Sequence, residues 1–183
     1  MSKPFTQGEF DGLCGLYSIV NAFKLLFPRK KLDDFEELAK ELALSIPQNE
    51  FRSVFIDGMD FRRLEILVQR AVKFAKNKWN GDVEFQTNKF IANRKDVFFK
   101  EMNSYFRGEG STKYRRAVIL GLSGRMEHWT TAEDATENTM FIFDKGFKQV
   151  NKGQAIVGEY ASKFELDSKE VIMVQKLKKK KNK

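Results

Sequence analysis

Residues 11–27 read DGLCGLYSIVNAFKLLF, and this stretch decides the first element of the fold. Its apolar residues recur at the spacing of a helix: Leu16, Val20, Phe23 and Phe27. We expect a helix that starts between Gly12 and Cys14. It should end at Pro28, because proline cannot continue the helical hydrogen bonding. Such a helix would carry Cys14 at its N-terminus.

The rest of the chain divides into a helical part and a β-rich part. Further helices are predicted from about Leu32 to before Pro47, at about 59–76 and at 95–106, with short strands at 83–86 and 90–92. Beyond Gly110 the apolar segments become short and are separated by turn residues: 117–122, 128–132, 140–143 and 171–174. Helices followed by mostly antiparallel strands indicate an α+β fold.

No Pro/Gly/Ser-rich linker interrupts this layout. We therefore expect one domain over residues 1–175 and a lysine-rich tail at 176–183. The chain carries a formal net charge of +8, with 33 basic residues. Six of the lysines lie in the tail, which leaves 27 basic against 25 acidic residues in the body. We do not expect nucleic-acid binding, although the tail could bind anions weakly and without specificity.

The lone cysteine rules out an intramolecular disulfide framework. We expect neither a signal peptide nor a membrane span, because no apolar stretch reaches the length that either requires. We expect a cytoplasmic protein, and the sequence leaves open export as an effector without a leader. No metal or other cofactor is expected, because one His and one Cys do not make a usual zinc site. The sequence does not predict an oligomeric state.

Cys14 is a candidate nucleophile because of its place at a helix N-terminus. Unpaired backbone N–H groups and the helix dipole favour the thiolate there. Gly12 and Gly15 flank it and would let a substrate backbone approach closely. The alternative is a buried cysteine that packs as a small hydrophobic residue.

His128 is the only histidine in the chain. Imidazole is the side chain best suited to act as a general base near neutral pH, so if a histidine has this role, it is His128. Asp144 closes the β-rich run 140–143, where it is also typical of an ordinary turn. Strands that start at His128 and end at Asp144 could pair as a hairpin and place the carboxylate beside the imidazole. Asp134 and Asn138 are the next candidates for this third position.

Taken together, these residues resemble the papain-like cysteine peptidase superfamily. The resemblance lies in Gln7, in DGLCGL at 11–16, in HWT at 128–130 and in Phe143-Asp144, with Cys, His and Asp in the family's chain order. It is closest to bacterial members, including double-glycine leader peptidases and effector proteases. It implies a nucleophile helix packed on a later antiparallel sheet.

The resemblance also implies the chemistry. Cys14, His128 and Asp144 would form the catalytic triad, and Gln7 would join the backbone N–H of Cys14 in the oxyanion hole. The substrate would be a protein or peptide, cleaved at a peptide or isopeptide bond through an acyl-thioester. A deamidase, a transglutaminase or an acyltransferase would use the same triad. A non-catalytic binding module with a basic tail is the rival from another class.

Overall fold

The computed structural model describes residues 4, 12–87, 94–123, 128–145, 148–153, 155–157 and 164–177. The helices are α1 (Cys14–Leu26), α2 (Leu32–Leu44), α3 (Gln48–Asp57), α4 (Phe61–Trp79) and α5 (Lys95–Arg107). The strands are β1 (Val83–Thr87), β2 (Tyr114–Ser123), β3 (His128–Ala135), β4 (Thr139–Ile142), β5 (Gln149–Asn151), β6 (Ala155–Val157) and β7 (Phe164–Leu177). The expected α+β class, with helices in the N-terminal part and the sheet in the C-terminal part, is confirmed.

The strands form one sheet in the order β1-β7-β2-β3-β4-β5, in which all neighbours are antiparallel. The short strand β6 lies beside β7 and is parallel to it. Strand β7 occupies the position between β1 and β2, so the last described segment of the chain pairs with one of the first strands. The expected hairpin is present as β3 and β4.

Helices cover both faces of this sheet. The alternating side chains of β2 show the division, because Ala117 and Ile119 belong to the core with α1, α2 and α4. Val118 and Leu120 face the opposite way, into a second core with α5. Within the described residues, no helix combines the length and the apolar character that crossing a bilayer requires.

Helix α1 is buried on nearly all sides, which differs from the two-faced helix that its apolar spacing predicts. Ser18 and Asn21 are only 2% and 3% exposed. The Ser18 hydroxyl donates to the carbonyl of Gly15 at 2.7 Å, and the Thr131 hydroxyl donates to the carbonyl of Ser18 at 2.8 Å. These bonds satisfy polar groups that burial would otherwise penalise.

Helix α3 was not predicted. It lies against the start of α1, where the backbone N–H of Gly12 donates to the carbonyl of Phe55 at 2.7 Å. The helix ends at Gly58, whose φ of +87° suits a residue without a Cβ. The next helix then begins at Phe61, with Asp60 as its N-cap, instead of at residue 59.

Two further boundaries differ from the expectations. Strand β7 runs through Leu177, and Lys176 pairs with Val83 and with Arg115. The tail boundary predicted at residue 176 is therefore two residues too early, because the last cross-strand pairs of β7 include 176 and 177. The strand predicted at 90–92 lies outside the described residues.

Gly12→Ala should lower the free energy of unfolding by about 1–3 kcal/mol, the usual cost of overpacking. A Cβ at residue 12 would lie 2.6 Å from both the Gly58 nitrogen and the Val54 carbonyl oxygen, and backbone atoms cannot yield as a flexible side chain does. Gly153→Ala is the matched control, because a Cβ there meets nothing within 4 Å. Urea unfolding of both variants makes the comparison, and equal midpoints would contradict the assigned contact.

Candidate active site

Cys14 is the first residue of α1 and is 7% exposed. Its N-cap residue, Leu13, makes no side-chain cap, and the first turn of the helix carries no acidic residue. The positive end of the helix dipole is thus not offset by a carboxylate of the helix itself. The Cys14 sulfur lies 4.0 Å from the carbonyl oxygen of Gly12.

His128 and Asp144 meet at the open end of the β3–β4 hairpin. The His128 Nε2 atom lies 3.0 Å from Oδ2 of Asp144. The same oxygen accepts a hydrogen bond from the hydroxyl of Thr130, also at 3.0 Å. Thr130 is 1% exposed, so a fixed hydroxyl orients the carboxylate toward the imidazole.

Cys14 is the second hydrogen-bond partner of the His128 imidazole, besides Asp144. Burial lowers the pKa of His128, but hydrogen bonds with Asp144 and with Cys14, together with the charges of both partners, outweigh burial and raise it to about 9. Because Nε2 faces Asp144, the ring nitrogen left for the Cys14 sulfur is Nδ1. The imidazole therefore bridges sulfur and carboxylate, as a base that activates a thiol requires.

A pocket of about 290 Å³ opens at Cys14 and His128. The connection between α3 and α4 forms one wall, and residues of β2 and β7 also line the pocket. The described lining residues are Cys14, Asp57, Gly58, Met59, Gly121, Leu122, Ser123, His128, Trp129 and Glu170. A reactive thiol beside an imidazole in a concave site is the arrangement in which an acyl substrate could be held.

The wall at 57–59 is fastened to the sheet and to α4. The Trp129 indole N–H donates to the carbonyl of Met59 at 2.7 Å, in a buried hydrogen bond between residues 70 positions apart. The backbone N–H of Arg63 donates to the Asp60 carboxylate at 2.7 Å, which caps α4 directly after this wall. Both bonds hold this wall in place.

The glycines beside Cys14 serve the protein's own packing. A Cβ on Gly15 would lie 3.0 Å from a methyl carbon of Leu64 and 3.3 Å from the sulfur of Met59. Gly12 lies against the backbone of Gly58. Packing by itself thus accounts for both glycines, and the expectation that they admit a substrate backbone stays a prediction.

The alternatives for the third position lie elsewhere. Asp134 accepts hydrogen bonds from Arg107 at 2.6 and 3.2 Å, and Asn138 lies in the turn at the far end of the hairpin. Gln7, predicted for the oxyanion hole, lies outside the described residues. Sequence reasoning missed Thr130 as a partner of Asp144. Thr130 follows His128 by two residues, and residues two apart on a strand share one face, so the pattern could have suggested this role.

Comparison of the chain with protein-family models, with curated proteins and with solved structures finds no match. Membership of the papain-like superfamily therefore stays a prediction that is based on the residues quoted above. The fold and the pocket have to carry any functional conclusion by themselves.

An NMR titration of His128 should give a midpoint near pH 9 in the native protein, and a lower one in Asp144→Asn, which loses the anionic partner. The chain's only histidine makes the resonance unambiguous. Since the folded pKa exceeds the ordinary value of 6.5, protonation stabilises the fold fully below about pH 6.5, and this contribution is lost as the pH rises through about 9.

Asp134→Asn is the matched control for this titration. It removes a carboxylate from the same strand, but one that pairs with Arg107, so the midpoint of His128 should stay as in the unmodified protein. A midpoint near 6.5 in the unmodified protein, or equal shifts in the two variants, would remove Asp144 from its assigned role.

Proposed function

We propose that the protein is a cysteine peptidase that cleaves a peptide or isopeptide bond through an acyl-thioester. The observation that carries the proposal is the position of the His128 imidazole, which contacts both Cys14 and Asp144 at one pocket. Three residues from α1, from the start of β3 and from the residues after β4 converge there. A thiol, an imidazole and a carboxylate are the groups that thiol catalysis needs.

In the proposed reaction, the Cys14 thiolate attacks the carbonyl carbon and the carbonyl oxygen becomes an oxyanion. Collapse of this tetrahedral intermediate breaks the C–N bond, and imidazolium His128 gives its proton to the departing amine. Water then attacks the thioester while neutral His128 takes its proton. The carboxylic acid leaves and the thiolate is restored.

The oxyanion would form beside the N-terminus of α1. The backbone N–H of Cys14 lies in the first turn of that helix, where N–H groups lack helical acceptors and the dipole favours negative charge. Gln7 as a second donor stays part of the proposal. A reducing compartment such as the cytoplasm would keep the lone Cys14 as a thiol.

The same thioester could instead end in deamidation, transglutamination or acyl transfer, because these reactions differ in the acyl donor and the final acceptor. The shared step is acylation of Cys14. A non-catalytic binding module would have no need for an activated thiol, and this separates it from all the enzymatic candidates.

Iodoacetamide should alkylate Cys14 faster in the native protein at pH 7 than in the urea-unfolded chain, even though the thiol is only 7% exposed. His128→Ala should slow the reaction of the native protein, because the cation that stabilises the thiolate is lost. Intact-mass measurements give the rates, and the absence of other cysteines makes each adduct unambiguous. Slower labelling of the native protein, with no effect of His128→Ala, would favour the binding module.

A degenerate peptide library read by mass spectrometry tests the reaction type. Cys14→Ala should abolish turnover, and His128→Ala should lower kcat/KM by on the order of 10²–10⁴-fold, the usual contribution of a general base. Asp134→Asn is again the control and should retain activity. Shortened peptides identify a peptidase. Intact peptides with glutamine converted to glutamate identify a deamidase and would contradict the proposed reaction.

A further inference from the structure

The ends of three elements that are distant in the sequence meet around one pair of aromatic rings. Phe27 follows the end of α1, and its ring contacts that of Trp79, the last residue of α4, with the centroids 4.9 Å apart. The ammonium nitrogen of Lys30 lies 5.4 Å from the centroid of the Trp79 ring. The ammonium nitrogen of Lys176, near the end of β7, lies 4.0 Å from the centroid of the Phe27 ring. The fold therefore brings lysines from separate segments to one end of the molecule.

The segments that meet here carry the surplus of positive charge, and we refer to residues 29–34, 76–82 and 176–183 as the basic end. They contain eleven cations and three carboxylates, a surplus equal to the net charge of +8 of the whole chain. The remainder of the chain, with 22 basic and 22 acidic residues, has no net charge. Arg29, Lys31 and Lys76 are exposed, and no carboxylate forms an ion pair with them within the part of the chain that the structure describes.

Two exposed leucines accompany these cations. Leu32 is 56% exposed and follows Lys31, and Leu177 is 53% exposed and follows Lys176. Cations with exposed aliphatic side chains among them suit a membrane surface, where the cations meet anionic lipid headgroups and the aliphatic groups enter the interface. The rings of Phe27 and Trp79 are buried, so they are not available to stack on the bases of a nucleic acid.

The basic end lies away from the candidate active site, and strand β2 runs from one to the other. Tyr114 at the start of β2 pairs with Leu177, whereas Leu122 near the other end of β2 pairs with His128. The eight residues from Tyr114 to Leu122 span about 27 Å at 3.4 Å per residue. A surface that binds the basic end would therefore leave the pocket at Cys14 open.

We propose that the basic end binds the surface of membranes that contain anionic lipids. This role is independent of the proposed function. Each cation close to an anionic membrane strengthens binding by about fivefold, and salt screens the attraction beyond about 8–10 Å. The leucines add apolar contact with the interface, so the protein binds at the surface of the membrane and does not span it.

Co-sedimentation of the full chain with lipid vesicles tests the proposal. The chain should bind phosphatidylcholine vesicles that contain about 30% phosphatidylserine, but not vesicles of phosphatidylcholine alone. The affinity should fall as salt is raised. The triple variant Arg29→Gln/Lys31→Gln/Lys76→Gln should bind on the order of 100-fold more weakly, because three exposed cations of the basic end are lost.

A matched control removes the same charge elsewhere. Arg52, Arg62 and Lys148 are exposed cations outside the basic end. The variant Arg52→Gln/Arg62→Gln/Lys148→Gln should therefore bind the vesicles much as the native chain does. Equal affinities of the two triple variants would overturn the assigned surface, since net charge alone would then explain the binding.

The variant Leu32→Ala/Leu177→Ala separates a lipid surface from a nucleic acid. Both residues are exposed, so the fold should tolerate the change. Affinity for the phosphatidylserine vesicles should fall by about tenfold, because apolar contact with the interface is lost. Tighter binding of a DNA duplex than of these vesicles at the same salt, with no effect of the leucine changes on vesicle binding, would overturn the membrane proposal in favour of nucleic acid.

Two further measurements address the tail and the orientation. A chain that ends at Leu177 lacks five lysines and should bind more weakly, but its binding should still depend on Arg29, Lys31 and Lys76. Complete loss of binding in this chain, with native affinity in the first triple variant, would assign binding to the tail alone and overturn the proposal. Iodoacetamide should label Cys14 at the same rate with and without bound vesicles, and protection by the vesicles would contradict the assigned orientation.

Discussion

The burial of α1 against β2 and β3 is the packing interaction on which the rest of the structure depends. Ile19, Ala22 and Phe23 of this helix are fully buried, and the hydroxyl of Thr131 holds the helix backbone at Ser18. Thr131 and His128 lie on one strand, three residues apart, which is about 10 Å at 3.4 Å per residue. The sulfur and the imidazole are therefore positioned by two regular elements that are locked together, and no loop has to bring them into contact.

Burial at this junction would by itself disfavour a charged imidazole, so its partners decide its state. Asp144 and Cys14 offset the desolvation of His128 and raise its pKa. Thr130 adds a donor to the Asp144 oxygen that the imidazole contacts, and this keeps the carboxylate oriented. The cluster is a case in which a buried charge is tolerated because each polar group has a fixed partner.

Sequence periodicity predicts the elements whose stability is visible locally. Helices α1, α2, α4 and α5 carry apolar stripes, and all were expected close to their observed bounds. Helix α3 could not be found in this way, because only Val54 of its ten residues is buried while Phe51 and Ile56 are exposed. Strands β5 and β6 have three residues each, and pairing with neighbours defines them, not their composition.

The residues of the candidate site likewise divide into those that the sequence alone reveals and those that only the structure reveals. Cys14, His128 and Asp144 could be selected because their chemistry and chain order are legible in the sequence. Glu170 could not, because its position depends on a bulge opposite Gly121 that only the β2–β7 pairing creates. The net charge of the chain is a poor guide to the charge at the site for a related reason. It sums the charged groups of the whole surface, whereas a ligand in the pocket responds mainly to the charged groups within a Debye length. The charge that a ligand meets beside Cys14 and His128 therefore does not follow from the composition of the whole chain.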